Sequence, residues 1–200
     1  MKERVVVDLS RVPLHGLGSG SMTWWGTVAF MLIEGTGFAL VIAVYFYLMS
    51  HAALWPINAR PPDLLPGTVV TLILVVSVAP NYLVSRWAEQ QDLGKVRIGM
   101  VVMSLLGIAP VVARAFEFKA LNVSWDTNAY GSVLWILLGL HTTHIITDLV
   151  DTLVLTALMF TRHGSNPRRF GDCQDNAMYW NFVVMTWLPI YGCIYWIPRL

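Results

Sequence analysis

The stretch GLHTTHIITDLVD, residues 139–151, places His141, His144, Asp148 and Asp151 inside an otherwise apolar run. The steps between them are three, four and three. At about 100° per residue in an α-helix, all four side chains fall within a wedge of roughly 80°. Ionisable groups are costly in hydrocarbon, so such a stripe faces protein, water or an ion path. Glu34 lies in a second apolar run, about ten residues from its start, which puts it roughly 15 Å deep along a helix. The pattern is that of a multi-pass membrane protein whose polar side chains turn inwards.

Composition agrees. Of 200 residues, 56% are hydrophobic and only 12% charged, where a soluble domain is about a quarter charged. Mean hydropathy is +0.60, and the apolar residues fall in long runs, as in one membrane domain rather than a soluble domain with an anchor. A formal charge of +1, with no long basic run, excludes a nucleic-acid partner. Cys173 and Cys193 stand about twenty helical residues apart, roughly 30 Å, beyond disulfide reach. Residues 1–23 carry Lys2, Glu3, Arg4, Asp8 and Arg11, then Pro13 and several glycines. They read as a short cytoplasmic tail, because the apolar run that follows is too long for a signal-peptide core.

The expected fold is all-α, a bundle of five transmembrane helices over residues 24–200. The spans run from Trp24 to Met49, Leu65 to Trp87, Val96 to Phe116, Tyr130 to Phe160 and Ala177 to Ile197. Pro80 and Pro110 predict kinks in the second and third. Trp24, Trp25, Tyr45, Tyr47, Trp55, Tyr179, Trp180, Tyr195 and Trp196 read as interfacial belts near span ends. Residues 162–176 form the longest late connection, with Asn176 as the cap of the fifth span. Gly26, Gly35, Gly37, Ala39, Gly131, Gly139 and Gly192 allow close helix contact.

With the N terminus inside, Lys2, Arg4, Arg11, Arg86, Lys95, Arg97, Arg162, Arg168 and Arg169 fall on the inner side. Arg60, Arg114, Lys119 and Arg199 fall outside. This nine-to-four split predicts N-in and C-out. No internal repeat of the kind found in inverted-repeat transporters is visible.

Glu34, Glu117, His141, His144, Asp148 and Asp151 are the structural or proton-linked candidates. A carboxylate at the depth of Glu34 must be paired or neutral, and Thr27 and Thr36 are within reach as hydroxyl partners. His141 and His144, with an aspartate, could ligate zinc, iron or manganese, but the same spacing suits a packed polar face. Two histidines on neighbouring turns of one helix cannot clasp a haem from opposite sides. Arg114 and Glu117, three apart, read as a pair anchored at the headgroups. Arg162, Arg168 and Arg169 are candidate contacts for anionic lipid.

In order along the chain come Trp25-Gly26, then Phe30-Met31-Leu32-Ile33-Glu34 and Ala43-Val44-Tyr45-Phe46-Tyr47-Leu48. Arg114-Ala115-Phe116-Glu117-Phe118 and Gly139-Leu140-His141-Thr142-Thr143-His144 follow. Phe170-Gly171, Tyr179-Trp180-Asn181-Phe182-Val183 and Ile194-Tyr195-Trp196 complete the series. From Trp24 onwards this resembles the cytochrome c oxidase subunit III family, in a shorter five-span bacterial form. The resemblance implies a non-catalytic subunit of a respiratory haem–copper oxidase in the bacterial inner membrane. It implies no intrinsic cofactor and no catalytic or metal-binding residues, with haem and copper confined to the partner catalytic subunit. It also implies bound phospholipid, contacts with other respiratory subunits, and support for assembly, proton uptake and turnover stability. Glu34, Glu117 and the His141–His144 pair match the family's carboxylates and histidines. Asn181, Val184, Asp148, Asp151 and Arg168-Arg169 depart from its usual residues. An accessory subunit of a nitric oxide reductase is the alternative, followed by a proton-coupled transporter and a metalloenzyme.

Overall fold

The computed structural model describes residues 18–200, so the reading of the N-terminal tail lies mostly outside the described residues. Five long helices account for most of the chain: α1 (Met22–His51), α2 (Leu64–Glu89), α3 (Leu93–Lys119), α4 (Ala129–Met159) and α5 (Pro167–Tyr191). The first four are long and apolar enough to cross a membrane. The fifth carries Arg168, Arg169, Asp172, Asp175 and Asn176 in its first ten residues, and its polar first part sets it apart. A π-helical turn (Gly192–Trp196) and a 3-10 turn (Ile197–Arg199) finish the chain.

Helix α2 packs on α3 and α5, α3 packs on α4, and α4 packs on α5, making a four-helix core. Helix α1 lies outside it against α4 and α5, and buries only Phe38 and Tyr45 fully. Helix α4 is the central element. Tyr130, Leu134, Leu137, Leu138, Ile145 and Met159 line its buried side, on the same side as His141, His144 and Asp148. The exposed Leu, Ile, Val and Phe residues elsewhere present the apolar exterior that lipid or a membrane partner requires.

Four local expectations change. The last connection is shorter than residues 162–176, because Asn166 accepts from Arg168 N at 3.0 Å and Pro167 opens α5. An Asn cap followed by Pro in the first turn is a strong helix start. Asn176 is therefore inside the helix and does not cap it. For the same reason Tyr179 and Trp180 sit in mid-helix and are buried, not at an interface. Tyr45 is fully buried, accepting a hydrogen bond from Trp55 Nε1 at 2.9 Å.

Of the glycines expected at close contacts, Gly131 is at one, and Gly67 adds another that was not expected. A Cβ at Gly26, Gly37, Gly139 or Gly192 would meet open space. At Gly131 it would strike the backbone carbonyl of Ser124, and at Gly67 the ring of Tyr195. These two positions admit no side chain without a shift of their neighbours. Gly67 also clears room for the buried Tyr195 hydroxyl, which belongs to a polar cluster described below.

The far ends of the helices are tied by loop contacts. Asp63 N donates to Ala120 O at 3.0 Å, and Asn122 Nδ2 donates to Pro61 O at 3.2 Å. Arg199 donates to the carbonyls of Tyr195 and Pro62. The C terminus therefore sits with the α1–α2 and α3–α4 connections, at the opposite end from the start of α1.

Candidate functional site

Polar side chains gather at three levels of the bundle. The deepest set joins α1, α4 and α5 at Glu34. Tyr179 Oη donates to Glu34 Oε2 at 2.8 Å. His144 Nδ1 lies 2.6 Å from the Leu140 carbonyl. A carbonyl only accepts, so that nitrogen carries hydrogen. The other nitrogen, Nε2, faces Glu34 Oε1 at 3.2 Å. A proton on either the imidazole or the carboxyl makes this contact attractive. Whether it sits on nitrogen or oxygen, the pair is neutral overall, which removes most of the cost of burying a carboxylate. Phe38 covers His144, with ring centroids 4.7 Å apart. Thr27 and Thr36 turn to carbonyls of their own helix instead of to Glu34.

A second set lies nearer the C-terminal end, between α3, α4, α5 and the π-helical turn. Arg114 Nη1 donates to Glu117 Oε2 at 2.7 Å, and Arg114 Nη2 donates to His141 Nδ1 at 2.8 Å. Guanidinium can only donate, so His141 accepts at Nδ1 and carries hydrogen at Nε2, which donates to Val183 O at 2.9 Å. His141 is neutral and both its nitrogens are engaged. Tyr195 Oη donates to Glu117 Oε1 at 2.6 Å. The Trp187 ring stacks 3.9 Å from the guanidinium carbon. Arg114 and Glu117 are 1% and 0% exposed. They pair as expected, but as a buried ion pair and not as headgroup anchors, because the last turns of α3 are covered by α5 and the π-helical turn.

The third set lies towards the start of α1, where α4 ends and α5 begins. Asn176 Nδ2 reaches Asp148 Oδ1 at 3.4 Å and Asp151 Oδ2 at 3.3 Å, while Thr152 Oγ1 donates to Asn176 Oδ1 at 3.2 Å. Arg169 pairs with Asp172 at 2.7 Å. Asp148, Asp151, Arg169, Asp172 and Asn176 line a cleft of about 520 Å³ that reaches Glu34 and Tyr179 at its inner end.

The stripe of His141, His144, Asp148 and Asp151 is thus one face but three separate networks. His141 and His144 meet different partners while Asp148 and Asp151 share Asn176, and Asp151, expected to face inwards with the others, is exposed because it lies at the edge of the face that the neighbouring helices cover. Among the described residues no three His, Cys, Asp or Glu side chains are placed to hold a metal ion. Arg162 and Arg168 are exposed, whereas Arg169 is partly covered by its pairing with Asp172. Cys173 and Cys193 are free and buried.

Sequence reasoning passed over Tyr179, Tyr195, Trp187, Asp175 and Asn176 as site residues. A signal was present for the α5 members. Asp172, Asp175, Asn176 and Tyr179 recur at three- and four-residue spacing, one face of a helix. Placing the start of α5 ten residues late hid that face. Asn181, a departure from the family pattern, accepts from Asn81 Nδ2 at 3.0 Å, and the same Asn81 nitrogen donates to Ala177 O at 2.7 Å.

The family model described as cytochrome c oxidase subunit III matches residues 24–198. A probable cytochrome c oxidase subunit 3 of Mycobacterium tuberculosis (strain ATCC 25618 / H37Rv) is 28% identical over 193 residues, covering 92% of each chain. The protein of the same name from Nocardia farcinica matches to the same extent. Cytochrome c oxidase subunit 3 of Heterololigo bleekeri is 28% identical over 183 residues, covering 86% of this chain and 68% of its own.

Proposed function

The chain belongs to the cytochrome c oxidase subunit III family, and from that premise we propose how it serves an oxidase. It is a multi-pass protein of the bacterial inner membrane, as its bacterial relatives and apolar helices indicate. Its role is that of a non-catalytic accessory subunit bound to a catalytic haem–copper subunit, which it supports in assembly, proton uptake and sustained turnover during oxygen reduction. Phospholipid fits the exterior, with Arg162 and Arg168 available to headgroup phosphates. The insertion is N-in and C-out, supported by the basic-residue bias and by the opposite placement of the α1 start and the C terminus.

The observation that carries the functional reading is the tie at Glu34. One carboxyl joins three helices through Tyr179 and His144, and an open cleft leads to it from one end of the bundle. A carboxyl–imidazole pair that shares one proton can pass that proton between its members without net charge change. It can also lock α1, which has little other buried surface, to the four-helix core. The cleft reaches Glu34 and Asp148, as an independent proton-coupled transporter would need. Among the described residues its lining ends there, however, and Phe38, His141 and Val183 are buried beyond it. The relatives named above are oxidase subunits, which leaves the nitric oxide reductase alternative without support.

The test compares Glu34→Gln with Glu34→Ala in matched, fully assembled complexes, following oxygen consumption over time. Glutamine keeps the shape and acceptor for Tyr179 but does not titrate. If the proton matters, both variants shorten the turnover lifetime. If the tie matters, alanine is the worse of the two and also weakens assembly. Normal rate and lifetime in both would remove Glu34 from the function.

A further inference from the structure

The cleft between α1, α4 and α5 offers negative charge where another group can meet it. Asp151 is exposed and Asp172 partly exposed on its walls. Asp172 pairs with Arg169, whereas among the described residues Asp151 meets only the neutral amide of Asn176. Phe30 and Val154, both exposed, stand beside these acids in the lining. The chain itself arrives at the mouth of this cleft. The described residues begin at Gly18, and the turn Gly18–Gly20 packs on α5 as well as leading into α1. Trp25 Nε1 donates to Ser19 O at 3.0 Å and Ser21 N donates to Gly18 O at 2.9 Å, which fixes that turn on the start of the helix. Thr23, in the first turn of α1, already lines the cleft and bonds through its side chain to Asp175. Gly18 has φ 60°, a left-handed conformation that glycine adopts at little cost and that serves tight turns.

We propose that the N-terminal segment of this chain folds back over the cleft, with the Arg11 guanidinium paired to Asp151 and with Val12 and Leu14 against Phe30 and Val154. Residues 1–17 read MKERVVVDLSRVPLHGL, in which Lys2, Arg4 and Arg11 outnumber Glu3 and Asp8. The segment thus brings positive charge and aliphatic side chains to a cleft with acidic and apolar walls. Its length suffices. Arg11 stands seven residues before Gly18, a reach of about 25 Å at full extension. The α1 wall of the cleft, from Thr23 to Glu34, is roughly 17 Å long at the helical rise. Arg11 is the basic residue nearest the anchor, and a guanidinium presents a fork of donors that matches a carboxylate. Tethering selects this occupant over a basic segment of another chain, because a short linker holds it at an effective concentration of about millimolar. The seated arm covers the open end of the cleft, and with it the approach to Glu34. Its seating does not depend on what Glu34 does in turnover.

The test is hydrogen exchange followed by mass spectrometry on the assembled complex containing this subunit. Residues 9–17 are expected to exchange at least about tenfold more slowly than the same sequence as a free peptide. Arg11→Asp and Asp151→Arg should each remove that protection, because each sets like charges against one another. The two together should restore it, with exchange in α4 unchanged throughout. A second measurement needs no charge reversal. Thr147 is an exposed residue of the lining, and alkylation of Thr147→Cys by a charged, water-soluble maleimide should speed up at least about tenfold when residues 2–12 are deleted. Peptide-like exchange of residues 9–17 in the wild type overturns the proposal. Protection that survives both single reversals also overturns it, since the segment is then held by another surface, such as the membrane or a partner subunit. Failure of the double reversal to restore protection, or unchanged alkylation after the deletion, does the same.

Discussion

At Arg114 a single side chain satisfies a carboxylate, an imidazole and an indole face in a fully covered site. The ion pair with Glu117 is neutral overall, and His141 and Tyr195 add further hydrogen bonds to it, while Arg114 Nε is buried without a partner. Breaking such a pair from one side leaves a buried charge, which costs far more than the pair itself contributes. Arg114→Met is expected to destabilise the subunit by about 3–5 kcal/mol. Arg114→Met combined with Glu117→Gln should recover much of that loss, since no net charge is then buried. Denaturation of the solubilised protein followed by tryptophan fluorescence measures both, because Trp180 and Trp187 report from the interior. Equal destabilisation by the single and double substitutions would count against the charge argument. The Glu34 variants belong to this scale too. There the expected contrast is between loss of a proton and loss of a three-helix tie.

Individual helices owe their limits to caps. Helix α5 starts at Asn166, whose side chain accepts from Arg168 N, and this start sets the register of Asp172, Asp175, Asn176 and Tyr179 against α1 and α4. Asn166→Ala should cost about 1 kcal/mol, seen as faster hydrogen exchange in the first turn of α5 with the later turns unchanged. Helix α3 starts at Asp92, outside the membrane. Its carboxyl accepts from Lys95 N at 3.2 Å and pairs with Lys95 Nζ at 2.8 Å. These contacts hold the Asp92 carboxyl below its ordinary range, the side-chain bond to Lys95 first among them. A lowered folded-state value means that the stabilisation is complete above the ordinary aspartate range and fades as pH falls through the lowered value. Asp92→Asn should therefore be slightly less stable than wild type at neutral pH and indistinguishable from it in acid. Denaturation midpoints against pH give the comparison.

For the molecule as a whole, α1 is the part least secured by its own chain. It packs on α4 and α5 from outside and buries few residues, so the Glu34 tie carries much of its attachment. Its apolar outer side is available to lipid and to the catalytic partner. Reporter fusions at the two termini should place the N terminus inside and the C terminus outside. Both reporters on one side would reject the arrangement and, with it, the inner-side opening of the acidic cleft.

Hydropathy and spacing alone determined that this chain is an all-α membrane bundle and that His141, His144, Asp148 and Glu34 turn away from lipid. They suffice because hydrocarbon penalises charge wherever the neighbouring helices lie, and because the helical period assigns residues to faces before any packing occurs. The motif order determined the family for the same reason that it determined the helices, since both are local patterns. Only the tertiary structure decided the partners. His141 belongs to Arg114, His144 to Glu34, and Asp148 to Asn176, and these pairings join residues far apart in the chain. The depth of Arg114 and Glu117 was also settled by packing, because the cover over the end of α3 comes from α5 and the final turns. The start of α5 was readable in Asn166-Pro167 but was masked by its charges. A polar first half looks like a loop until the cleft it lines is seen to need those charges on a helix.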